Sequence, residues 1–102
     1  MATLFVLVPV FNEEPNIPTL MEAFAQLARE MAPRFDCRFL MVDDGSGDRT
    51  VAVAREGATA AGLPLEVLAH PANRGPDAAF ATGFSHLAPR LAPRQPAPQL
   101  VA

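Results

Sequence analysis

Three short polar clusters hold the residue types that can do chemistry in this chain: Asn12-Glu13-Glu14, Asp43-Asp44-Gly45-Ser46 and Asn73-Arg74-Gly75. A carboxylate such as Asp43 or Asp44 accepts hydrogen bonds from base N–H groups or ribose hydroxyls. Arg74 beside Gly75 can reach a diphosphate, because glycine permits close backbone approach and arginine forks onto phosphate oxygens. Each cluster also has a plainer reading. Glu13 and Glu14 can complement a helix dipole, Asp43 and Asp44 can cap a turn and helix, and Arg74 can be a solvated loop arginine. Spacing alone leaves both sets of readings open.

Composition narrows the chemistry. All eight basic residues are arginine, so chemistry that needs a lysine is excluded, including P-loop phosphate binding and Schiff-base catalysis. The single Cys37 permits no internal disulfide, CxxC pair or thiolate zinc cluster, and reads as an inert, partly buried side chain. His70 and His86 have no partner at metal-ligand spacing and read as structural or exposed. A net charge of −3 argues against a nucleic-acid binder. With 50% hydrophobic and 19% charged residues the chain is expected to be globular. No apolar run approaches the roughly 20 residues that span a bilayer, and Met1–Val10 lacks the basic flank of a signal peptide.

The elements that must position the clusters follow from periodicity. Leu4–Val10 is a continuous apolar run that fits a strand buried on both faces. Ile17, Leu20, Met21, Phe24, Leu27, Ala28 and Met31 form one stripe of a helix, with Pro15 and Pro18 tolerable at its start. A second strand is expected over Arg38–Val42. A helix over Arg49–Ala61 follows, with Ser46 or Asp48 as its cap and Gly62 as its left-handed end. Leu65–Ala69 is a short strand, and Asp77–Leu87 a third helix whose Phe80, Phe84 and Leu87 read as core. The order β-α-β-α-β-α predicts parallel strands with right-handed crossovers and helices on the faces, half of a doubly wound, Rossmann-like sheet. From Pro89 to Ala102 proline is too dense for a helix or inner strand, so residues 89–102 are expected to be an irregular or disordered tail.

In an open parallel sheet, ligands bind beyond the carboxyl ends of the strands, and all three clusters fall there. Adjacent Asp43 and Asp44 are expected to diverge, one toward the helix N-termini and one into the cleft. Two familiar motifs do not fit. Gly45-Ser46-Gly47 would open GxGxxG, but its last position is Thr50 and it follows the second strand. A receiver domain needs its acid pair near the first strand and a late lysine.

With these residues assembled, the chain resembles the N-terminal half of a family 2 glycosyltransferase of the GT-A fold, nearest to the polyprenyl-phosphate sugar synthases. The matching stretches are Val8-Pro9-Val10-Phe11-Asn12-Glu13-Glu14-Pro15-Asn16-Ile17, Val42 through Thr50, and Asn73-Arg74-Gly75 with Ala79 and Gly83 downstream. The resemblance implies that residues 1–88 are the nucleotide-diphospho-sugar-binding half of the domain. It implies a donor pocket in which Pro9, Asn12 and Glu13 line the base and ribose. Asp44, with Asp43 beside it, would hydrogen-bond uracil or guanine and ribose, and Arg74 and Gly75 would lie near the base or diphosphate.

The departures are as informative. Pro76 stands where such proteins carry a lysine or other polar residue. No acid follows Asp77, whereas the resemblance implies a fourth strand with a DxD-type motif for Mg²⁺ or Mn²⁺. The metal ligands and the catalytic base are therefore expected to lie outside this chain. The expectation is a truncated transferase, inactive alone, whose parent moves a sugar from a UDP- or GDP-sugar to a lipid phosphate or glycan; a frameshifted or prematurely ended gene would give such a tail. The alternatives are a non-catalytic nucleotide-binding module or an interaction fragment that associates with a complementing chain. The expected location is cytoplasmic, with membrane contact only through a lipid-linked acceptor or a C-terminal region not present here.

Overall fold

Four parallel strands among the described residues carry the structure, ordered Leu65–Ala69, Phe35–Asp43, Ala2–Val10 and Gln99–Val101 across the sheet. The structure is a computed structural model and describes residues 2–91 and 99–101. The elements are β1 (Ala2–Val10), α1 (Ile17–Met31), β2 (Phe35–Asp43), α2 (Thr50–Ala61), β3 (Leu65–Ala69), α3 (Pro76–Leu87) and β4 (Gln99–Val101). Single 3-10 turns at Glu14–Asn16 and Ala88–Arg90 flank α1 and α3. The expected order of strands and helices is observed from β1 through α3, and β3 has the expected bounds. Pro18 sits in the first turn of α1, where its missing N–H has no intrahelical partner to lose. Gly62 ends α2 at φ 66°, the left-handed value that glycine adopts without a Cβ penalty.

The apolar runs of β1 and β2 are explained by burial on both faces. Alternate residues point to opposite sides of a strand. Leu4, Val6 and Val10 of β1, with Cys37, Phe39 and Met41 of β2, face α1 and α2. There Ile17, Met21, Phe24, Ala54 and Ala58 meet them, and the Phe24 and Phe39 rings stack with centroids 4.4 Å apart. Phe5, Leu7, Leu40 and Val42 face the other way and pack on Ala79 and Leu87 of α3. That face has its own close approach. A Cβ on Gly83 would lie 2.4 Å from Leu7 Cδ1, so any larger residue there would force the Leu7 side chain to move. One expectation fails here: Phe84 is 46% exposed, because Gly83 and Leu87 take the inward positions of that helix. Phe80 is half-buried and Leu87 buried, as expected.

Residues 89–102, expected to be an irregular or disordered tail, contain the end of the 3-10 turn at Ala88–Arg90 and the short strand β4. Gln99–Val101 follows the last proline and runs parallel to Leu4–Val6 at the sheet edge, the place where a short strand needs only one partner. The part of that expectation over 92–98 lies outside the described residues.

Register sets the site. Val10 pairs with Asp43 and Asp43 with Ala69, so β1, β2 and β3 end level. The three polar clusters leave the sheet side by side.

Candidate functional site

The loop after β1 and the loop after β2 are locked to each other by the motif residues themselves. Asn12 adopts φ 50°, a left-handed turn that asparagine tolerates. Its N–H donates to Ser46 Oγ (2.8 Å), and its Oδ1 accepts from the Gly47 N–H (2.8 Å). The Glu13 N–H donates to Thr50 Oγ1 (2.9 Å), and Glu14 Oε1 accepts from the Arg49 N–H (2.8 Å). Asp48 accepts from the N–H groups of Glu14 (3.3 Å) and Thr50 (3.0 Å) and from the Thr50 hydroxyl. These bonds to the ionised form hold its carboxyl below the usual range, the Thr50 hydroxyl contributing most. Asp48 therefore satisfies the first N–H of α2 from two residues before it.

Asp43 and Asp44 diverge as their strand geometry requires. Asp43 turns back on its own loop and accepts from the Ser46 N–H (3.0 Å) and hydroxyl. Asp44 turns toward the loop after β3. Its Oδ1 lies 2.8 Å from His70 Nδ1 and accepts from the Arg74 N–H (2.9 Å), while Oδ2 accepts from the Gly75 N–H (2.8 Å). The histidine bond, aided by the two amides, pulls the Asp44 carboxyl below its ordinary range against the opposing effect of burial. Gly45 brings the second and third loops into contact. At φ +79° its Cα is so near the backbone that a Cβ would lie 2.4 Å from Ala72 C and 2.5 Å from Asn73 N.

Between these loops opens a cleft of about 330 Å³, lined by Pro9, Val10, Phe11, Glu13, Asp44, Asn73, Gly75 and Pro76. A recess of about 220 Å³ shares Pro9, Val10 and Glu13 with it. Glu13 spends one oxygen on Asn16 Nδ2 (2.8 Å) and keeps the other. The cleft thus offers two carboxylates and an amide between apolar walls. A larger groove of about 540 Å³ lies between α1 and α2, but small apolar residues such as Ala25, Val53 and Gly57 make up much of its lining and none of the three polar clusters contributes to it.

Of the residues singled out from sequence, Pro9, Glu13, Asp44 and Gly75 line this cleft. Asn12 and Asp43 stand behind it as loop-binding groups, and the Arg74 side chain is exposed outside its lining. Phe11 and Asn73 were given no role of their own, and His70 was read as structural or exposed. Phe11 is an exposed aromatic at the cleft wall and Asn73 was read only as part of its cluster. His70 is buried and structural, but its partners Asp44 and Thr82 gave no signal, because they are distant in sequence.

The described residues hold no all-protein cage for a divalent ion. No group of three His, Cys, Asp or Glu side chains among them converges, and Asp43 and Asp44 already accept hydrogen bonds from their own chain. Nor is any described helix long and apolar enough to cross a membrane.

Comparison with known proteins gives the family. The family model for glycosyl transferase family 2 matches residues 5–89. An undecaprenyl-phosphate 4-deoxy-4-formamido-L-arabinose transferase of Sodalis glossinidius is 32% identical over 82 residues, 80% of this chain and 24% of that protein. A dodecaprenyl-phosphate galacturonate synthase of Rhizobium johnstonii is 34% identical over 88 residues, 86% of this chain and 25% of that protein. Among solved structures, a mannosyltransferase from Pyrobaculum calidifontis in complex with GDP-Man and Mn²⁺ superposes with a TM-score of 0.64 at 29% identity, covering 81% of this chain and 24% of that one. Glucosyl-3-phosphoglycerate synthase of Mycobacterium tuberculosis shares the fold, with a TM-score of 0.56 at 22% identity over 83% of this chain and 29% of that one. The chain spans about a quarter of the length of these relatives. The family model covers most of the chain, and the chain belongs to glycosyl transferase family 2.

Proposed function

We propose that this chain binds the nucleotide of a UDP- or GDP-sugar in the cleft at the ends of β1, β2 and β3. The observation that carries the reading is the lining itself: Glu13 and Asp44 face a space walled by Pro9, Val10, Phe11 and Pro76. Apolar walls suit the faces of a base, and carboxylates suit its N–H edge and the ribose hydroxyls. Arg74, exposed beside the cleft, is within the loop that would meet the diphosphate. Asn12 and Asp43 shape the site from behind by fixing the loops. The solved relative that holds GDP-Man supports a nucleotide sugar as the ligand class.

The activity of the longer protein is read as sugar transfer to a lipid phosphate, since relatives are named for undecaprenyl- and dodecaprenyl-phosphate products. Such an acceptor would bring the protein to a membrane surface. The divalent ion seen with the solved relatives would be held by residues beyond those described, so these 102 residues are read as binding the donor without transferring the sugar. Multiple turnovers by the 102-residue chain would contradict that part.

Calorimetric titration with UDP and GDP tests the binding. Glu13→Gln keeps the shape and removes the charge, and should weaken the better nucleotide about tenfold or more, the worth of a hydrogen bond to a charged group. Unchanged affinity in that variant would place the ligand elsewhere.

A further inference from the structure

His70 is buried, 8% exposed, and is the one histidine placed against the cleft's carboxylate. Its backbone N–H donates to Asp43 O (2.8 Å), extending the β2–β3 ladder by one residue and fixing where the ring begins. The ring then bridges two elements: Nδ1 lies 2.8 Å from Asp44 Oδ1, and Nε2 lies 2.8 Å from Thr82 Oγ1 on α3. An ionised carboxylate only accepts, so Nδ1 carries the proton in this bond. In the neutral ring Nε2 is then an acceptor, and the Thr82 hydroxyl donates to it. The bonds run in one direction, from Thr82 through His70 to Asp44.

The count of acceptor sites shows what this does. A carboxylate offers about four lone-pair sites. His70 and the Arg74 N–H take those on Oδ1, and the Gly75 N–H takes one on Oδ2. One site on Oδ2 remains, on a residue that lines the cleft. We propose that His70 is a positioning residue for the donor cleft: it locks the rotamer of Asp44 so that this remaining acceptor is presented to the ligand, and through Thr82 it fixes that carboxylate to α3. The proposal rests on the donor-site reading above.

Two near-isosteric variants separate positioning from packing. The side-chain amide nitrogen of asparagine falls near the place of Nδ1, and that of glutamine near the place of Nε2. His70→Asn therefore keeps the donor to Asp44 and drops Thr82, while His70→Gln keeps Thr82 and drops Asp44. Affinities of the full 102-residue chain for UDP and GDP are to be measured beside the unfolding midpoint of each variant. The expected result is that His70→Asn stays within about threefold of the unsubstituted chain and His70→Gln weakens binding about tenfold or more. If affinity instead follows the unfolding midpoint, or glutamine preserves binding better than asparagine, His70 only fills space and the proposal is overturned. Failure of the unsubstituted chain to bind either nucleotide would instead remove the donor-site reading. A second measurement needs no variant. Long-range ¹H–¹⁵N spectra of the ring should show His70 protonated at Nδ1, and protonation at Nε2 alone would overturn the Asp44 bond.

Discussion

Asp43 and Asp44 leave β2 on opposite sides, and each meets a different loop. Asp43 satisfies the turn that starts its own β2–α2 loop, whereas Asp44 gathers the amides of Arg74 and Gly75 from the loop after β3. That alternation was legible in the sequence, because successive strand residues must diverge. The identity of their partners was not, since both loops are irregular and His70 lies 26 residues from Asp44. Gly45 is what lets the loops meet. Replacing it by alanine adds a Cβ 2.4 Å from Ala72 C at a φ of +79°, so backbone must move. Gly45→Ala should cost about 2–4 kcal/mol, while Gly47→Ala, whose Cβ meets nothing within 4 Å, should stay within about 0.5 kcal/mol. Urea unfolding of the two variants checks this, and equal midpoints would contradict the close approach.

At the scale of elements, the β1–α1 and β2–α2 loops act as one piece. Asn12, Glu13, Glu14, Ser46, Asp48 and Thr50 bond across the gap, with Asp48 as an acid that both loops share. The carboxyls of Asp44 and Asp48 are both depressed in the folded chain. A depressed carboxyl stabilises the fold above its unfolded value of about 4, and that contribution is lost as pH falls through the lower folded value. The unfolding midpoint should therefore hold steady from pH 7 to about 5 and fall below about pH 4. Asp48→Asn should shrink the fall, and an acid profile identical to that of the unsubstituted chain would show that Asp48 does not bind the loops. The elements themselves were the most legible level. Apolar runs marked β1 and β2, the apolar stripe marked α1, and Gly62 closed α2 just ahead of β3. β4 was missed because three residues after a proline-rich stretch carry no periodicity. Its signal is pairing with β1, which exists only in three dimensions. Phe84 was misplaced for a related reason, since periodicity marks a face but not which of its residues the neighbouring sheet leaves room for.

For the whole molecule, the parallel sheet with α1 and α2 on one face and α3 on the other brings three strand ends level, and the cleft follows from that register. Membership of glycosyl transferase family 2 rests on residues 5–89, the same stretch that builds the sheet and cleft. The chain corresponds to about a quarter of its relatives, so its proposed share of their work is the donor nucleotide. The most direct test maps amide shifts of the 102-residue chain during titration with UDP and GDP. The account predicts perturbations that saturate and cluster at Val10, Phe11, Glu13, Asn73 and Gly75, with the α1–α2 groove around Met21 and Gly57 unmoved. A folded spectrum with no perturbation at the strand ends, or one confined to that groove, would contradict it.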